Sequence, residues 1–277
     1  MANTAKSIAK LLTAALNGDV ASQYELATRY REGDGVPENL PDSIKWYRKA
    51  AEARHPGAMN DLGSMLLDGI GCKADPAEAF KCYEMAAKSG HPVACYNLAK
   101  RYLHDEVDLV QAFHWFSEAA KQDYMEAICE LGTLYRFGQG TNRNLIAAAD
   151  LHLIAAKKGD VVAIGNLADY LDELQSIALG GNPTASRCLS EIYNFGLGAE
   201  KSMPLTWTWT KWAKKHCPPS DDADEAAGIE GAYAFYFRSL SADDRKEGER
   251  VLKGLIAAAG KAGGPTKNPV KRKRSET

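Results

Sequence analysis

The chain has 277 residues, a mass of 30.1 kDa, 45% hydrophobic and 25% charged side chains, and a formal net charge of −2. No run of 18 apolar residues occurs, which excludes a transmembrane helix and any membrane partner held through one, and the near-neutral balance speaks against nucleic acid as a partner. At about 150 residues per domain the length suggests two domains, unless the fold is extended.

The N-terminal stretch MANTAKSIAKLLTAALNGD sets Lys6 and Lys10 among its apolar residues and has no small-residue cleavage site after a clean apolar stretch, so it does not read as a secretory signal. The chain is therefore expected in the cytoplasm with its six cysteines reduced. Ile8 and Ala14-Ala15 stand 36 residues before Ile44 and Ala50-Ala51, so residues 1–19 predict a solitary helix that caps an array.

The array occupies residues 20–217. A leucine followed by a small residue recurs at Leu26, Leu62, Leu98, Leu131, Leu167 and Leu189, with spacings of 36, 36, 33, 36 and 22. Alanine stands four before it at Ala58, Ala94, Ala127, Ala163 and Ala185, and a ring or leucine four after it, which places all three on one helix face. Gly-x-Gly follows at 33/35, 69/71, 138/140 and 196/198 and predicts a helix ending at a left-handed glycine. Thirteen residues after the anchor stand Asn39, Asp75, Asn144 and Ser202, and Asp108 is their equivalent in the shortened third unit. All five are preferred N-cap types, and Pro41, Pro76 and Pro204 fall in the first turn beyond them. The third unit lacks its glycine turn. The fifth has lost 14 residues, so Leu171–Leu179 serves either as a short second helix or as a continuation of the first.

These residues resemble the Sel-one-like repeat (SLR) family, relatives of tetratricopeptide repeats. The first unit carries the likeness most fully, in Tyr24-Glu25-Leu26-Ala27, Tyr30, Gly33-Asp34-Gly35-Val36, Asn39 and Trp46–Glu52. The resemblance implies an all-α fold, a right-handed α/α solenoid of about six helix pairs, and a role as a protein-interaction scaffold or adaptor. In related repeats the positions two before, two after and five after the anchor leucine line the concave groove. The partner-binding residues selected on that basis are Tyr24, Arg31, Asn60, Tyr96, Lys100, Arg136 and Arg187.

Beyond Cys217-Pro218-Pro219, two further helices are expected at 222–239 and from Ser241 to about 259, forming a C-terminal cap over 218–259. Ser241 with Asp244 three residues on reads as a capping box. Trp209 matches Trp46 in register and is expected in the core. Trp207 and Trp212 either pack under the cap, the preferred reading, or stand as an exposed aromatic anchor. Residues 260–277 hold six basic side chains against Glu276, a net +5, and leave −7 for the rest. They are expected to be a disordered basic tail. Lys271-Arg272-Lys273-Arg274 is either a solubilising run or a nuclear-targeting signal.

No phosphate loop, nucleophile elbow or zinc helix occurs. The cysteines do not recur by position and read as small buried hydrophobes. His55 and His91 each precede a proline 36 residues apart and read as parts of a repeat boundary. The expectation is a monomeric, non-enzymatic scaffold with no catalytic, cofactor or metal residues. It would bind a protein or peptide in a bacterial regulatory, secretion-associated or effector-neutralising role. The alternatives are a secreted effector sent to a host nucleus by its basic tail, and an enzyme with an unrecognised site.

Overall fold

The computed structural model describes residues 2–105, 107–217 and 223–261. The protein is an all-α solenoid of helix pairs, 78% helical, with 15 helices and no strand among the described residues. The first helices of the six repeats are α2 (Val20–Glu32), α4 (Pro56–Asp68), α6 (Pro92–His104), α8 (Met125–Phe137), α10 (Val161–Asp169) and α12 (Pro183–Phe195). Their second helices are α3 (Leu40–Glu52), α5 (Pro76–Lys88), α7 (Leu109–Ala120), α9 (Leu145–Lys157), α11 (Leu171–Leu179) and α13 (Met203–His216). Helix α1 (Ala2–Leu16) precedes them, and α14 (Ala223–Ser239) and α15 (Ala242–Lys261) follow. The chain separates into two compact units, residues 1–134 with 138–142, and residues 135–137 with 143–277. The Pro-Pro turn and the basic run Lys271–Arg274 lie outside the described residues.

The repeat positions do what their chemistry demands. The six anchor leucines and the five alanines four residues before them are buried. Gly63 lets the second helix approach, since a Cβ there would sit 3.1 Å from the Tyr83 ring. Asn39, Asp75, Asp108, Asn144 and Ser202 each accept a hydrogen bond from a backbone N–H of the second helix they open. The first glycine of each Gly-x-Gly pair closes its helix at φ 69 to 71°. The second glycine has a different reason. At Gly71 (φ 74°) a Cβ would come within 2.6 Å of the Leu40 Cβ, so the turn packs against the start of the preceding repeat's second helix.

A further series of caps opens the first helices. Seven residues before the anchor, Asp19, His55, His91, Asp160 and Asn182 accept from the N–H groups of Ser22, Ala58, Ala94, Ala163 and Ala185. The boundary histidines are therefore N-caps that accept through Nδ1, over 3.1 and 3.3 Å. That role requires the neutral ring.

In the fifth repeat the chain bends at Tyr170 (φ −119°, ψ 17°), which ends α10 and begins α11, so this unit keeps two helices of nine residues each. At the C-terminal end, Trp207, Trp209 and Trp212 are all buried. The Trp207 ring lies 5.0 Å from Tyr233 and 5.9 Å from Phe237 on α14, and Trp212 Nε1 donates to the Ala178 carbonyl at 2.8 Å. Packing under the cap is what the tryptophans do. Trp46 differs from its register mate Trp209: it is half-buried, with the Lys49 ammonium 4.3 Å from its ring centroid. Trp209 itself is fully buried. Ser241 Oγ accepts from the Asp244 N–H at 3.0 Å, so the second cap helix opens on the expected capping residue.

Candidate interaction face

In the first unit, α2, α4 and α6 turn their selected positions toward one another. Tyr24 Oη donates to Asp61 Oδ2 at 3.1 Å, and the Tyr24 ring stacks on His55 at 4.4 Å. Arg31 reaches the same carboxylate at 3.6 Å and Glu32 at 2.9 Å. Asn60 Nδ2 donates to Asp61 Oδ1 at 3.1 Å, and its Oδ1 accepts from Asn97 Nδ2 at 3.0 Å. A polar chain thus runs Arg31–Asp61–Asn60–Asn97 across three successive first helices. On α6, the Tyr96 ring packs against Phe116 and Tyr124, with the Lys100 ammonium 5.6 Å from its centroid. Burial, aided by Glu130, Tyr124 and Glu126, pushes the Tyr96 hydroxyl up to about 12. Tyr96 is thus a neutral hydrogen-bonding group at any working pH.

The +2 positions Thr28 and Ser64 are committed inside their repeats. Their hydroxyls pair with Tyr47 Oη and Tyr83 Oη, both at 3.0 Å. They tie first helix to second and are poorly placed for a ligand.

In the second unit, Arg136 and Arg187 have separate surroundings. Arg136 bonds Asn166 at 3.2 Å and Asp169 at 3.1 Å and lies over the rings of Phe137 and Tyr170, which leaves it 16% exposed. Arg187 pairs with Asp150 and with Glu191 (2.7 Å), and Glu191 also takes Lys157. Arg136 bridges the first helices of the fourth and fifth repeats, and Arg187 ties the first helix of the sixth repeat to the second helix of the fourth. The structure therefore joins Tyr24, Arg31 and Asn60 through the Asp61 carboxylate and puts Tyr96 beside Lys100. It sets Arg136 and Arg187 in clusters of their own.

Asp61 and Asn97 were absent from the sequence-based selection. Both stand one residue before the anchor leucine, where Glu25, Glu130 and Asn166 also stand, so a polar residue recurs at that position.

Among the described residues there is no group of three or more His, Cys, Asp or Glu able to hold a metal. All six cysteines are thiols. Burial pushes Cys82 and Cys95 up to about 11. Cys188 Sγ donates to Asp150 Oδ1 at 3.3 Å, which has the outline of a nucleophile beside a base. However, burial and the carboxylate both raise its pKa, and that keeps it a thiol. Among the described residues no helix is long and apolar enough to cross a membrane.

The Sel1 repeat model matches residues 20–55, 56–91, 92–124 and 126–160. The chitin synthase regulator SKT5 of Saccharomyces cerevisiae is 28% identical over 225 residues, 71% of this chain and 32% of that protein. The chain thus spans about a third of the length of this curated relative. Among solved structures, c5321, a protective antigen of uropathogenic Escherichia coli with an SLR fold, matches with a TM-score of 0.55 and 25% identity. The match covers 92% of this chain and 59% of that one. A Sel1 repeat protein of Oxalobacter formigenes shares the fold with a TM-score of 0.51 at 24% identity, over 86% of this chain and 88% of that one.

Proposed function

The chain belongs to the Sel1 repeat family, and from that premise we propose that it is a non-enzymatic scaffold holding a partner protein or peptide on the first-helix face of its N-terminal unit. Sel1 repeat proteins are generally protein-interaction scaffolds. The observation that carries this reading is the Arg31–Asp61–Asn60–Asn97 chain with Tyr24, Tyr96 and Lys100 at its flanks. It presents preorganised donors, acceptors and half-buried rings with few side chains left to immobilise on binding. Its mix of charge and aromatic surface suits a peptide segment with both acidic and apolar side chains. The name of the yeast relative, a regulator of an enzyme, supports a role exerted on another protein. A regulatory, secretion-associated or effector-neutralising role in the cytoplasm follows from the same reading.

Affinity purification with mass spectrometry names the partner, and titration of that purified partner measures its Kd. Tyr24→Ala and Lys100→Ala are expected to weaken binding by about tenfold each, the scale of an interface residue worth more than 1 kcal/mol. Unchanged affinity in both variants, with circular dichroism intact, removes the face from consideration.

A further inference from the structure

In the second unit, α12, α13 and α14 line a cavity of about 190 Å³ that opens to solvent. Its origin lies in α14, where Gly228 and Ala232 stand four apart on the face turned toward it. Gly228 is exposed, and a Cβ added there would meet nothing within 4 Å, so the cavity has its mouth at this glycine. The volume matches roughly six waters, or a ligand of about six non-hydrogen atoms.

The polar lining is uneven in kind. Thr210 Oγ1 donates to the Thr206 carbonyl at 2.8 Å and lies 2.6 Å from Ser190 Oγ, so both hydroxyls keep lone pairs for a donor. These two side chains are more than nine-tenths buried. Glu191 contributes further acceptor capacity. On the opposite wall the Tyr236 hydroxyl makes no hydrogen bond with the described residues and is available as a donor. The charges around the cavity cancel, because Arg187 and Lys157 are matched by Asp150 and Glu191. An incoming ion would upset that balance. A neutral ligand offering N–H groups to one wall and a carbonyl to the other satisfies both.

We propose that this cavity is a binding site for a primary carboxamide on a short aliphatic stem, with the amide nitrogen toward Ser190 and Glu191, the carbonyl toward Tyr236, and the stem against Ile229 and Ala232. The ligand is either a free small amide or a glutamine side chain from a partner. The site stands apart from the interaction face of the first unit and does not depend on it.

The test is a titration of the full chain, labelled with ¹⁵N, with isobutyramide, isobutyrate and isobutylamine. Isobutyramide is expected to bind saturably and shift the amides of Ser190, Thr210 and Ala232, with the two ions at least about tenfold weaker. Ala232→Leu fills the space and is expected to abolish binding, while Tyr236→Phe removes one hydroxyl and is expected to weaken it about fivefold to tenfold without disturbing the fold. A glutamine-bearing peptide that displaces isobutyramide, where its glutamate counterpart does not, assigns the site to a partner's side chain. Retained isobutyramide binding without displacement assigns it to a free amide. Equal binding of all three probes, no saturable shift at these residues, or full binding by the Tyr236→Phe variant overturns the proposal.

Discussion

Gly71→Ala measures how tightly successive repeats are pressed together. Gly71 has φ 74°, which an L-residue adopts at a cost of about 1–2 kcal/mol. The new Cβ would also stand 2.6 Å from Leu40 Cβ and 3.0 Å from the Leu40 backbone carbonyl carbon. The second atom belongs to the first residue of α3, so relief requires a shift of the helix start. Overpacking of this kind costs about 1–3 kcal/mol. The total is about 2–5 kcal/mol. Gly90 supplies the control. Its φ of 79° imposes the same backbone strain, yet nothing lies within 4 Å of a Cβ built there. Gly90→Ala should therefore lose only the first part, about 1–2 kcal/mol. Urea unfolding of both variants, followed by circular dichroism, reads the difference between them as the steric part. Equal losses, or a smaller loss at Gly71, would refute the claim that the second glycine exists to admit the preceding repeat.

The histidine cap predicts a pH response. Burial holds the His91 pKa below its ordinary 6.5, so the unfolded chain binds the proton more readily. The stability it contributes is complete above about pH 6.5 and is lost as pH falls from there through the folded pKa, whereas His91→Asn keeps an accepting cap and flattens that decline in chemical unfolding. Asn144→Ala should cost about 1 kcal/mol in the same assay through loss of the cap on α9. Leu167→Ala, at a fully buried anchor, should cost about 2–5 kcal/mol. In a timed thiol titration Cys72 and Cys217, both half-buried, should react well before Cys82, Cys95 and Cys188. Early labelling of Cys188 would reopen the question of a catalytic thiol.

Features set by a local rule could be read from the chain, and those set by a neighbour could not. The caps at Asn39, Asp75, Asp108, Asn144 and Ser202 need only a polar residue at one register position, and each accepts its N–H as expected. The caps seven residues before the anchor follow the same rule. Their residue types vary among Asp, His and Asn, which hid the series until the geometry joined its members. Thr28 and Ser64 share a register with groove-lining positions, but a tyrosine from the second helix takes their hydroxyls. Trp46 and Trp209 share a register too. Their exposures differ, Trp46 half-buried and Trp209 fully buried, which no periodicity within the repeat conveys. The join of Arg31, Asp61, Asn60 and Asn97 depends on the offset between successive first helices, a quantity the chain specifies only through packing.

The bend at Tyr170 bears on where the structure opens. A nine-residue helix has four N–H groups and four carbonyls in its terminal turns, so nearly half of the backbone in α10 and α11 lacks an interior ladder partner. Val161 and Val162 contribute little burial at the start of α10, at 79% and 66% exposure. In a linear array, stability is a sum over units and their neighbours, and the transient loss of one interior member divides the chain into two cooperative blocks. Amide exchange in 161–179 should therefore outpace that of α6 or α12, with fluctuation concentrated at an interior seam as well as at the ends.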